Sequence, residues 1–242
     1  MALAWEQFRF ERKQFWRNPS AAFFNLALPL MFLLLVGAVF ADGDNELNVL
    51  VPGIAGMSVM ANTFNALAFA ITFQREQGIL KRVRGTPMPI ASYLGGLVGS
   101  AVANALAQVL VVVAVGHLLF GVDWPHDWAL LAGFTLLGVV CFAALGIAFA
   151  HVIPNQDSAP AYENAVFLPL IFISGVFYSA DSLPPALAAV AEVLPLKHLI
   201  DGLSAAITGA EVNLAAAAAV VGAWALLGVF CALRFFRWEA AG

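Results

Sequence analysis

An all-α protein threaded several times through a membrane is the fold class this sequence predicts, on three observations. Of its 242 residues, 62% are hydrophobic and 11% are charged, whereas an ordinary soluble domain carries about 25% charged residues. The apolar residues gather into runs long enough to cross a bilayer, which takes about 20 helical residues. The basic residues fall between those runs in a one-sided pattern. Backbone groups in lipid must be satisfied within the segment, so such runs are read as helices.

Residues 3–18 place Trp5, Phe8, Phe15 and Trp16 roughly on one face, with Arg9, Arg12, Lys13 and Arg17 around them. That pattern predicts a helix in the interface plane, with aromatics dipping toward the acyl boundary and basic stems snorkelling. The charged, aromatic start does not read as a signal peptide. Spans are expected at 21–41, 49–73, 90–120, 129–150, 162–179 and 213–233. The third is longer than a crossing needs, so its first turns are expected to project beyond the bilayer. Acidic loops follow the first span (Asp42, Asp44, Glu46) and the third (Asp123, Asp127), the latter with Trp124 and Trp128 placed as interfacial anchors. A polar break separates the fourth and fifth spans.

Segment 180–212 is too apolar for an aqueous loop and too interrupted for a span. Pro184, Pro185 and Pro195 divide it, and Lys197, His198 and Asp201 charge it. It accommodates two short helices, near 184–193 and 197–206, each about half a bilayer long at 1.5 Å per residue. A re-entrant or semi-buried pair and a pair of surface helices both fit this pattern.

Six spans put both termini on one side. Of the 11 Lys and Arg residues, all but Lys197 then share that side, which the positive-inside rule makes cytoplasmic. The whole chain, 1–242, reads as one transmembrane domain.

Between spans two and three lies 74–89, carrying Arg75, Glu76, Lys81, Arg82 and Arg84. Charge is costly in hydrocarbon, so the stretch sits in water at the membrane surface. Ile79, Leu80 and Val83 recur at helical spacing, and Pro87 stops the turn. One reading is a short amphipathic helix with an apolar face available to a partner; the other is a basic loop that only sets topology. Within the spans, Ser58, Asn62, Asn65 and Thr72 share one helical face, and Ser100, Asn104 and Gln108 share another beside Gly95, Gly99 and Ala103. Such stripes face protein or a wet cavity, as interhelical glue or as the border of a subunit seam or pathway.

Catalytic patterns fail one by one. No Gly-Lys pair exists for a nucleotide-binding P-loop, because the lysines follow Arg12, Leu80 and Leu196. Gly56-Met57-Ser58 resembles the start of an intramembrane protease motif, but Val59 follows where a small residue is favoured. Asp201-Gly202 lacks the later acidic residues of a metal-dependent transferase. The histidines show no ligand spacing, and Cys141 and Cys231 sit in apolar runs as small hydrophobes. No buried carboxylate stands mid-span for an ion relay; Glu163 lies near the start of the fifth.

The motifs RExGxLKRxRGTPxP after the second span and LPLIFISGVFYxxDSLPPAL…LPLKHLIDGL before the last, with six spans and an amphipathic N-terminal helix, resemble the ABC-2 type permeases, and among them the bacterial multidrug or antibiotic-resistance permeases. The resemblance implies the membrane subunit of an ATP-driven exporter of a drug, lipid or glycan in a bacterial inner membrane. It implies a dimer of such subunits with two ATPase subunits; this chain binds no cofactor, and ATP and magnesium belong to the ATPase. It assigns a coupling helix to Arg75, Glu76, Gly78, Leu80, Arg82, Thr86 and Pro87, to which spacing adds Ile79 and Val83. Extracellular re-entrant helices are assigned to Leu183–Gly202, with Leu183, Pro184, Pro185, Pro195, Lys197 and Asp201 as gate residues. Ser204 and Ala205 stand where the family often has an arginine. No role for nucleic acid is expected. A membrane scaffold or immunity-type protein without transport, or an intramembrane enzyme, are the alternative classes.

Overall fold

The computed structural model describes residues 2–17, 19–39, 44–178 and 183–235. Asn18, the acidic stretch 40–43, residues 179–182 with Asp181, and the tail with Arg237 lie outside them, as do the side chains of Phe15 and Trp16. The described residues form helices, turns and loops, with no strand among them.

The helices are α1 (Ala2–Arg17), α2 (Pro19–Val39), α3 (Asp44–Met60), α4 (Ala66–Glu76), α5 (Ile79–Arg84), α6 (Ile90–Phe120), α7 (Trp128–Phe149), α8 (Ala159–Ile173), α9 (Pro185–Ala191), α10 (Pro195–Thr208) and α11 (Leu214–Phe235). A π-helical turn, Ala61–Asn65, joins α3 to α4. Among the described residues, four helical stretches are long and apolar enough to cross a membrane: Leu47–Glu76, Ser92–Phe120, Trp128–Phe149 and Leu214–Arg234. Ala27–Val39 and Ala159–Ile173 are shorter apolar helices. The fifth expected span, 162–179, is thus corrected at both ends. Pro160 near the N-terminus of α8 starts it early, because its missing N–H has no helical partner there anyway. Gly175, at φ +74°, turns the chain out of the helix at the other end. The second expected span is corrected too, since its rod continues through Glu76 before Gly78, at φ +66°, breaks it.

The first turns of α6 carry α1. At 31 residues, α6 is about 46 Å long, well beyond the roughly 30 Å of a hydrocarbon core. In the excess, Gly96 meets Gln7, where a side chain on α6 would collide with α1, and Gly99 faces Phe8 at ordinary contact distance. The small residues near 95–103 therefore seat the N-terminal helix.

At the centre, α10 is inserted among α3, α7 and α11. Leu196, Leu199, Leu203, Ala206 and Ile207 are fully or almost fully buried. The backbone N–H of Asp127 donates to the Ala206 carbonyl at the start of α7. Phe134 then packs on Gly202, and Leu199 on Gly138. So α10 runs antiparallel to α7, and its Pro195 end lies deep in the bundle. There the Trp224 indole, halfway along α11, donates to the Val193 carbonyl at 2.8 Å. The expected short helices near 184–193 and 197–206 correspond to α9 and α10.

Candidate functional site: a latched basic hairpin, a π turn and two cavities

Only Ile79–Arg84 of the 74–89 stretch is a separate helix; Gln74, Arg75 and Glu76 close α4. Its apolar side turns inward. Leu80 is fully buried with Leu67, Ile71, Tyr93, Leu97 and Ile147, and Val83 packs against the same group. The expectation that Leu80 offers its side chain to a partner is therefore corrected, because the chain's own bundle covers it. Lys81, Arg82 and Arg84 form the exposed face. Thr86 ties off the turn by donating to the Val83 carbonyl at 2.7 Å, and Pro87 follows, exposed. Leu80→Ala should thus cost about 2–5 kcal/mol of stability, as for other buried leucines. Thermal unfolding of the purified protein checks this; an unchanged melting temperature would contradict the packing.

Arg75 is not a rim residue either. It is 8% exposed, and its guanidinium donates to the carbonyls of Ala150 at 3.0 Å and Ile153 at 2.6 Å. The Ala150 carbonyl, at the C-cap of α7 where helical partners are lacking, and the Ile153 carbonyl of the following loop are thereby held from α4. Thr72 points at the same Ala150 carbonyl, and the Glu76 carboxylate accepts the Gln156 N–H at 2.6 Å. The Tyr93 hydroxyl donates to the Gln74 side-chain oxygen. The hairpin bearing the basic face is thus latched to the α7–α8 loop and to α6.

The polar stripe of the second span falls on the π turn. Ser58, Asn62 and Thr63 bond back to the carbonyls of Ile54, Ser58 and Val59 at 2.7, 2.9 and 2.6 Å. Such bonds compete with the helical ladder and favour local irregularity. The wider turn brings the Phe64 carbonyl onto Gly146 of α7, too close for any side chain there. The Oδ1 atoms of Asn62 and Asn65 are buried without a partner among the described residues. In the other stripe, Ser100 and Gln108 are buried, while the Asn104 side-chain oxygen accepts from Arg12 of α1. Ser58 and Asn62 thus bond within their own helix, whereas Asn104 bonds to the N-terminal helix.

Two cavities flank the α9–α10 turn. One, of about 660 Å³, is apolar and lined by Met60, Phe64, Phe142, Trp224 and Cys231, with Leu194 and Pro195 of the turn. The other, of about 470 Å³, is lined by Ser174, Tyr178, Glu192, Lys197, Asp201 and Glu211 among others. Lys197 Nζ lies 2.8 Å from Glu192 and 3.0 Å from Asp201. His198 Nε2 is 2.9 Å from the Glu192 carbonyl, a contact that puts its proton on Nε2. Leu183, Pro184 and Pro185 lead into α9, which leaves Leu187 and Val190 exposed.

The hydrogen bond from Lys197 holds the Glu192 carboxyl below its ordinary value of 4.5. Burial pulls the Lys197 pKa down, but hydrogen bonds from its ammonium to Glu192 and Asp201 outweigh that and hold it above 10.5. A depressed carboxylate stabilises the fold above its unfolded pKa, and a raised lysine does so below its own. The turn should therefore keep these ion pairs from pH 4.5 to pH 10.5. Hydrogen exchange across 191–195 should rise on acidification below that window and stay flat within it.

Sequence reasoning missed Trp224, Ser174 and the latch acceptors Ala150 and Ile153. A tryptophan in the middle of a span, away from the interfaces where it is enriched, was a usable signal. Backbone carbonyl acceptors leave none.

The ABC-2 type transporter family matches residues 2–208. The chain is 28% identical over 185 residues to the inner membrane transport permease YadH of Escherichia coli, covering 73% of this chain and 71% of that protein. It is similar to nodulation protein J of Rhizobium meliloti, 29% identical over 185 residues, 73% of this chain and 70% of that protein. Nodulation protein J of Bradyrhizobium diazoefficiens matches at 25% over 236 residues, 92% of this chain and 88% of that protein.

Proposed function

Since this chain belongs to the ABC-2 type transporter family, the membrane component of ABC transporters, we propose that it is the permease subunit of an ATP-driven exporter in a bacterial inner membrane. The observation that carries this reading is the latched hairpin. The chain has no P-loop, so its energy must arrive from a separate subunit. The α4–α5 hairpin offers that subunit an exposed basic face, and Arg75 and Glu76 tie the same hairpin to the α7–α8 loop. A push on α5 therefore reaches the ends of α7 and α8 without passing through a flexible linker.

Two copies of the chain, with two ATPase subunits holding ATP and magnesium, form the working unit. Both termini and α5 lie in the cytoplasm. The apolar cavity then opens in the cytoplasmic half, the polar one opens outward, and α9 and α10 form the re-entrant turn between them. Leu194 and Pro195 close the path, with Lys197 and Asp201 fixing the turn. An apolar chamber leading to a polar one suits a hydrophobic or amphipathic cargo, and bacterial drug efflux is one such activity. The names of the relatives, a transport permease and nodulation proteins, support membrane transport without identifying the cargo.

Copurification with a coexpressed candidate ABC ATPase, followed by ATP-dependent uptake of a fluorescent amphipathic dye into inverted vesicles, tests the reading. ATP-dependent accumulation that needs both subunits is the expected result. Absence of any complex with that ATPase, with both proteins folded, would remove the exporter reading.

A further inference from the structure

We propose that the polar cavity beside α10 is a binding site for an organic cation, an amine or quaternary ammonium group, whatever cargo the transporter carries. Its walls bring one cation, Lys197, together with three carboxylates, Glu192, Asp201 and Glu211. Lys197 is already committed to two of them, so an incoming anion finds no free ammonium. Glu211 is exposed and makes no ion pair among the described residues. Three carboxylates outnumber Lys197 even when a charge on His198, which also lines the wall 3.8 Å from Asp201, is counted, so the cavity is net negative and selects for positive charge.

A second feature, independent of the charges, points to a ligand. Ser174 is 2% exposed, lines the same cavity, and its hydroxyl has no hydrogen-bond partner among the described residues. A buried hydroxyl without a partner is costly, and a ligand hydroxyl or amine in the cavity supplies one. Tyr178 lines the wall with its own hydroxyl committed to the Phe172 carbonyl. Its ring is left as the apolar, electron-rich surface that organic cations favour. A metal ion fits less well: among the described residues no three His, Cys, Asp or Glu groups converge as ligands. At about 470 Å³ the cavity has room for a small organic group.

Choline and its uncharged isostere 3,3-dimethylbutan-1-ol make the test, titrated by calorimetry into the full chain in phosphatidylglycerol nanodiscs. Both probes share shape and hydroxyl, so charge alone separates them. Choline should bind saturably and the isostere at least about fivefold more weakly, the effect of one carboxylate–ammonium contact of about 1 kcal/mol. Glu211→Gln, at an exposed position that does not threaten the fold, should weaken choline by a similar factor, and so should Ser174→Ala. Attraction of choline to the anionic lipid is common to wild type and variants and cancels. Repeating the wild-type and Glu211→Gln titrations in phosphatidylcholine nanodiscs separates the sources: loss of the difference between the two proteins identifies a lipid headgroup as the occupant, a persisting difference a soluble cation. Equal binding of choline and its isostere, displacement of choline by acetate, or indifference to both substitutions would each overturn the proposal.

Discussion

Reversing two charges, Lys81→Glu with Arg82→Glu, is expected to lower affinity for the ATPase subunit by at least about two decades, or roughly 2.7 kcal/mol, while leaving the permease folded. Both side chains are exposed on α5, whereas the helix is anchored through buried Leu80. The substitution therefore alters the surface without touching the packing beneath it. Neutralising an exposed charge removes little, but placing like charges face to face across an interface costs several kcal/mol. The neutral pair, Lys81→Gln with Arg82→Gln, should fall between wild type and the reversal. Wild-type association should weaken as salt is added, because exposed charges are screened over about 10 Å at 0.1 M. Fewer basic residues in a cytoplasmic loop also weaken the topology signal. Labelling of an Asp123→Cys variant from outside separates the two effects: retained labelling with lost ATPase binding supports docking. Wild-type binding by the reversed variant would show that α5 does not meet the ATPase through this face.

Much of this architecture is legible in the sequence because lipid allows few solutions. Apolar run length located α6, α7 and α11 within a few residues, and the prolines of 180–212 separated α9 from α10. The C-terminal end of α8 and the continuation of α4 to Glu76 were not legible, because single glycines decide them. Gly175 and Gly78 act through backbone conformation, which apolar periodicity does not register. The facing of α5 was half legible. Helical spacing correctly gathered Leu80 and Val83 on one side, whereas Ile79 is only half-buried and outside that cluster; spacing says nothing of whether a partner or the same chain covers that side. In sequence Asn62 and Asn104 belong to polar stripes on consecutive spans. Asn62 instead serves the π turn and Asn104 receives Arg12, a contact 92 residues apart in sequence and beyond any local pattern. In sequence Arg75 groups with its charged neighbours, whereas burial gives it the opposite work.

That burial makes Arg75→Gln the more informative single substitution: the ATPase should still bind and hydrolyse ATP, while export falls at least about tenfold. The guanidinium is the charged donor to the Ala150 and Ile153 carbonyls at the end of α7. Hydrogen bonds to charged groups contribute about 1.5–3 kcal/mol each. Water reaching the loop recovers part of this, so a local loss of about 2–3 kcal/mol is expected. Thr72 keeps only a long contact, 3.5 Å, to the Ala150 carbonyl. Glu76 still holds the Gln156 N–H, so the loop is loosened rather than released. Amide exchange at 150–158 should then rise, while exchange in α5 stays near wild type. Arg75→Lys keeps the charge but not the planar fork that serves two carbonyls at once, and should recover only part of the export. A rim contact would behave in the reverse way, with weaker ATPase affinity and an unchanged 150–158 loop. Normal export by Arg75→Gln, with the loop demonstrably loosened, would mean that force from the ATPase reaches α7 and α8 by some route other than this latch.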